Sequence, residues 1–121
     1  MLRIRQEQMD AFSAAALQAY YRELRDDLNT YWPAYTATHE PDALLDAITH
    51  AATRIEAHGL TTQRTIARYI NAAFALNHGR SFDLHDHPEA RAILGRRDLT
   101  QDEKADLFVI YVENRLDVGE G

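Results

Sequence analysis

No cysteine occurs in this chain of 121 residues, which excludes disulfide staples and thiolate zinc sites and leaves the redox compartment open. No apolar run approaches the roughly 20 residues of a membrane-spanning helix, and Met1 to Met9 is too polar for a signal peptide. The expectation is a cytoplasmic protein with no membrane contact. Serine is scarce as well: Ser13 and Ser81 are the only two, neither has the flanking glycines of a nucleophile elbow, and no Gly-rich phosphate loop occurs. Strand alternation, internal repeats and low-complexity tracts are absent. What is left is helical periodicity in a chain of one-domain length, long enough to bury roughly two thirds of its unfolded surface.

The clearest grammar lies at residues 58–76. Gly59 stands where a helix ends and the next residue needs positive φ, and His58 before it can face the negative helix end. Thr61 or Thr62 then offers a hydroxyl to the free N–H groups of the following helix. Beyond this corner Ile66, Tyr69, Ile70, Ala73 and Phe74 recur at steps of three and four, while Gln63, Arg64 and Arg68 fall on other faces. This helix is expected at the centre of the core.

The rest of the chain supplies helices around it. Met9, Phe12, Leu17, Tyr20, Leu24, Leu28 and Tyr31 mark an amphipathic helix from about Gln6 to Tyr31, closed by Pro33, which restricts Trp32. A connector over 33–41 leads to Pro41, which opens a helix with Leu44, Leu45, Ile48, Ala52 and Ile55 inward. After an irregular stretch at 79–87, Pro88 opens a short helix with Ala90, Ile93 and Leu94 inward. Thr100 and Glu103 form a capping box for a last helix, whose apolar run Leu107 to Val112 predicts burial on more than one face. The fold class is therefore all-α: one domain over residues 1–121, a compact bundle of about five helices.

The net charge of −6 is unevenly distributed. Residues 1–56 sum to −4, residues 57–97 to +3 and residues 98–121 to −5, and twelve of the thirteen basic residues are arginine. Arginine suits bidentate pairing with carboxylate or phosphate. Paired acids such as Asp26 with Asp27 and Asp102 with Glu103 read as solvated helix turns rather than a catalytic pair.

Three constellations could carry function. Tyr21, Trp32 and Tyr35 read as the accessible part of an aromatic partner surface, with Tyr20 and Tyr31 turned inward; Arg64 and Arg68 would add charged contacts. The corner also looks like a DNA-reading helix-turn-helix offering Gln63, Arg64 and Arg68, but the acidic balance elsewhere leaves few cations for phosphates. Third, Asp83, His85, Asp86 and His87 hold metal-ligating side chains within five residues, with a third ligand to come from His78, Glu89 or a distant helix, a pattern a metal-dependent hydrolase would need. A solvated loop accounts for it as well. The reading adopted is a non-enzymatic protein-binding module without cofactor or metal, with the DNA-binding regulator second and the hydrolase third.

The start Leu2-Arg-Ile4-Arg-Gln-Glu-Gln-Met9, the connector beginning Tyr31-Trp-Pro33, the run Gly59-Leu-Thr-Thr-Gln-Arg-Thr-Ile-Ala-Arg-Tyr-Ile-Asn-Ala-Ala-Phe-Ala-Leu76 and the segment His87-Pro-Glu-Ala-Arg-Ala-Ile-Leu94 resemble a family of short all-α proteins. These are encoded beside type VI secretion effectors and spike-tip (PAAR-type) proteins. The resemblance covers most of the chain in order and spacing. It implies an accessory or adaptor protein, chaperone-like in loading an effector, or an immunity protein that blocks one. Its motifs are structural, so it assigns no site residues. Arg5 stands where a threonine cap is common in that family, and the loop after Leu76 reads Asn-His-Gly-Arg-Ser-Phe-Asp instead of a glycine-aspartate-phenylalanine form.

Overall fold

A computed structural model describes the backbone of residues 14–120 and the side chains of residues 15–116. Among the described residues there are six helices and no strand: α1 (Ala14–Tyr31), α2 (Pro33–Thr36), α3 (Pro41–Glu56), α4 (Gln63–Leu76), α5 (Pro88–Leu94) and α6 (Gln101–Glu120). The all-α, single-domain expectation holds. Its helical stretch before Ala14, with Met9 and Phe12, lies outside the described residues. The added helix is α2, inside the expected connector: Pro33 presets helical φ at its first position, and Thr36 is buried with its hydroxyl on the Pro33 carbonyl at 3.2 Å.

Helix α4 is the centre, as its stripe predicts. Ile66, Tyr69, Ile70, Ala73 and Phe74 are all buried, and α1, α3 and α6 each pack on this helix. Phe74 stacks on Phe82 at 5.2 Å between centroids, and Tyr69 lies 5.2 Å from Phe108 of α6. Each such fully buried aromatic contributes on the order of 1.5–3 kcal/mol by leaving water.

Both ends of α4 are set by local chemistry. Thr62 is the cap, its hydroxyl accepting from Thr65 N–H at 3.2 Å. Upstream, Gly59 has φ +93°, the Leu60 N–H returns to the Ile55 carbonyl at 3.3 Å, and Leu60 is buried, which makes a Schellman ending for α3. The cation at that ending is Lys104 of α6, whose Nζ donates to the His58 carbonyl at 2.8 Å. Sequence position alone points instead to the His58 imidazole. At the other end His78 (φ +54°) takes the left-handed position and Gly79 (φ +76°) follows it, with Gly79 N–H on the Phe74 carbonyl at 2.8 Å.

Two inward assignments change. On α1 the buried stripe is Tyr21, Leu24 and Leu28, so Tyr21 is a core residue at 8% exposure while Tyr31 is 67% exposed. The stripe's next place after Leu28 comes where the chain breaks toward α2, and Trp32 takes the inner position in place of Tyr31. Among the described side chains of α6 only Ala105, Phe108 and Val112 are buried, at i, i+3 and i+7, whereas Ile110 is 50% exposed. Full burial is therefore confined to one face among the described side chains, with Leu107, Val109 and Tyr111 half-buried beside it, because α6 packs on α4 and α5.

Candidate docking groove

Helices α1, α4 and α6 run in one direction. Near their starts, the Tyr20 hydroxyl of α1 donates to the Gln63 carbonyl at 2.7 Å, and Gln101 of α6 accepts from the Thr61 and Thr62 N–H groups at 2.8 and 3.2 Å. Toward their far ends they enclose a groove of about 630 Å³. Its floor is α4, where Ala67, Asn71, Ala72 and Ala75 present little bulk. Asn71 adds to this by folding its amide back onto the Ala67 carbonyl at 3.0 Å. Asp27 and Tyr31 of α1 make one wall with Trp32, and Val109, Val112, Glu113 and Leu116 of α6 make the other.

Trp32 stacks on Tyr35 at 6.0 Å with 16° between planes, and Tyr35 sets its edge on Phe74 at 6.1 Å. The indole is thereby held in place, with one consequence for its polar atom. Trp32 Nε1 is buried with no acceptor, alone among the described side-chain polar atoms. Arg68 at the rim is paired with Asp106, whereas Asp27 and Glu113 form no ion pair among the described residues.

The five residues proposed from sequence therefore separate. Trp32 belongs to the groove and Tyr35 supports it from behind; Arg68 is at the rim but neutralised. Arg64 is exposed at the first turn of α4, 4.0 Å from Asp102. Tyr21 lies in the core against α3, where burial and the nearby Glu56 raise its hydroxyl pKa and a hydrogen bond from Thr53 opposes them. Tyr20, half-buried, has a raised pKa for similar reasons, burial first and then the charges of Tyr21, Glu23 and Asp27. Tyr31 and the α6 wall were missed. For the α6 wall a signal was present in Leu107 to Val112, which holds more apolar side chains than one buried face can take.

The other two constellations are changed by their neighbours. At the corner, Asp102 and Asp106 of α6 stand beside Arg64 and Arg68, so the surface alternates in sign and offers phosphates a weak field. In the 79–87 loop, Asp83 Oδ1 accepts from the His85 N–H at 3.0 Å while the His87 ring turns to α6, Nδ1 lying 3.2 Å from the Tyr111 hydroxyl. Burial and Arg115 lower the His87 pKa, against the pull of Asp86. Among the described residues no group of three or more His, Cys, Asp or Glu side chains is placed to hold a metal ion.

A smaller cleft of about 200 Å³ opens over Tyr69, Phe82 and Leu94, with Arg54, His58, His85 and Arg91 around its mouth. Both arginines stand in the last turns of α3 and α5, where they answer the carbonyl ends of their own helices. The Tyr69 hydroxyl beneath donates to the Phe82 carbonyl at 3.1 Å, and burial pushes its pKa up to about 12. Among known proteins, no family model, curated protein or solved structure matches this chain.

Proposed function

We propose that this chain is a non-enzymatic protein-binding module, an accessory or adaptor protein or an immunity protein, acting in the cytoplasm on a type VI secretion effector or its delivery component. The α1–α4–α6 groove is the observation that supports binding: walls that are apolar apart from Asp27 and Glu113, a floor of small residues and the aromatic anchor Trp32. Its size suits protein side chains entering together. The choice of an effector as partner rests on the family resemblance alone. Arg64 and Tyr35 contribute at the edge and as support, and Tyr21 is withdrawn from the contact set because it is a core residue.

Affinity capture from the native cell with tagged protein tests this, with Trp32→Ala and Ala72→Arg versions run alongside. The expected result is one secreted-type protein at near-equal amount, lost with Ala72→Arg, whose added side chain fills the floor. A toxicity-rescue assay with that partner then separates immunity from loading. Recovery of duplex DNA, or capture of no protein at all, would overturn the proposal.

A further inference from the structure

We infer that the groove takes an amphipathic helix from the partner, with apolar side chains at i, i+3 or i+4 and i+7 and lysine or arginine on both flanks of that stripe. This rests on the protein-binding reading and specifies its ligand. Three observations carry it.

The first is the arrangement of helices. Helices α1 and α6 both pack on α4, point the same way and make no substantial contact with each other, so among the described residues nothing covers α4 between the two ridges. A fourth helix fits between two parallel ridges, and the described residues include no sheet edge to which a strand could add.

The second is length and bulk. Ala67 to Ala75 spans about 12 Å of α4 at roughly 1.5 Å per residue, which is two turns and the reach of i to i+7. Alanines on the floor let an incoming backbone come close, so its side chains reach Val112, Leu116 and the Trp32 ring.

The third is charge. Asp27 stands on the α1 wall and Glu113 on the α6 wall; among the described residues neither has an ion pair, and the one cation lining the groove, Arg68, is held by Asp106. An occupant lying between them meets an acid on each side. Cations on both flanks answer that pair, and acids there would be repelled.

The test is selection from a library of randomised helical peptides displayed on a rigid scaffold, using the full chain as bait and fluorescence anisotropy on the enriched peptides. Enrichment of the apolar stripe with a Lys/Arg excess at its flanks is expected. Those peptides should bind Asp27→Lys/Glu113→Lys at least about tenfold more weakly, a difference of one decade in Kd. They should lose binding to Ala72→Arg, with circular dichroism and the unfolding midpoint checking that each variant is folded. Should Ala72→Arg not fold, Leu116→Glu serves as the blocking variant from the other wall. Enriched peptides that are neutral or acidic, or that bind the blocked variant unchanged, would sink the inference. So would a wild-type dimer in sedimentation that Ala72→Arg breaks, since the occupant would then be a second copy. Native capture that survives Ala72→Arg would remove the groove helix while leaving the protein-binding reading standing.

Discussion

Thr65 donates its hydroxyl hydrogen bond to Gln101 Oε1 at 2.8 Å, joining a fully buried side chain near the start of α4 to the first residue of α6. The same oxygen also accepts from the Thr61 and Thr62 N–H groups, so one amide ties the corner to the last helix. Gln101→Ala is expected to lower stability by about 1–2 kcal/mol, because the exposed Thr61 and Thr62 N–H groups return to water and the buried Thr65 hydroxyl keeps the Thr62 carbonyl as an acceptor at 3.2 Å. Gln101→Glu keeps the three acceptances and sets a negative charge near two helix N-termini, so it should remain close to wild type. Urea unfolding of the two variants checks this, and equal losses would show that Gln101 acts by packing alone.

Gly79 and Gly59 share positive φ but not surroundings. A Cβ on Gly79 would come within 2.3 Å of Tyr35 Cβ, whereas one on Gly59 meets only Lys104 Nζ at 3.5 Å. Gly59→Ala should cost the left-handed penalty alone, about 1–2 kcal/mol. Gly79→Ala adds a collision with the α2 side and should cost clearly more, on the order of 3 kcal/mol or above. Similar unfolding midpoints for the two variants would contradict this account of the α2 contact.

Trp32 offers a way to separate folding from binding. Its Nε1–H is buried without an acceptor, so Trp32→Phe keeps the stack on Tyr35, removes an unsatisfied donor and should change stability by less than about 1 kcal/mol. Trp32→Ala loses the stack and should cost about 2 kcal/mol or more. Thermal melts distinguish them. A Trp32→Phe loss as large as that of Trp32→Ala would mean the indole nitrogen is bonded in solution.

The partial burial of His87 makes stability sensitive to acid. Burial, reinforced by Arg115, lowers the imidazole pKa from its ordinary 6.5, so the folded chain binds fewer protons than the unfolded one around and below that value. Stability should therefore fall as pH drops from about 6.5 toward 5, above the main carboxylate range. His87→Gln should flatten that decline, measured as the urea midpoint against pH. An unchanged slope would assign the proton to another group.

Where one local interaction decides an outcome, the sequence was readable. Thr62 caps α4, Gly59 closes α3, and Thr100 and Glu103 exchange hydrogen bonds at 2.8 and 3.1 Å at the head of α6, all from neighbours within a few residues. The groove was less readable. Trp32 was picked out by composition, but its register relative to Tyr21 and Tyr31 depends on where α1 breaks and which helix lies over each turn. His39 shows the same limit: no local pattern marks it, yet it is half-buried against Phe74, and its Nε2–H donates to the Gly79 carbonyl at 2.6 Å, forty residues away.

The sequence by itself determined the all-α class, the breaks between the main helices, and the face of α4 that enters the core. These follow from side-chain periodicity and backbone preferences that act over one or two turns. Tertiary structure decided which apolar residues stay uncovered. Val109 and Leu116 are no less apolar than their buried neighbours, and with Tyr31 they line a groove because α1 and α6 both lean on α4 without substantial contact with each other. That spacing comes from helices distant in sequence packing on one another, and no local pattern encodes it.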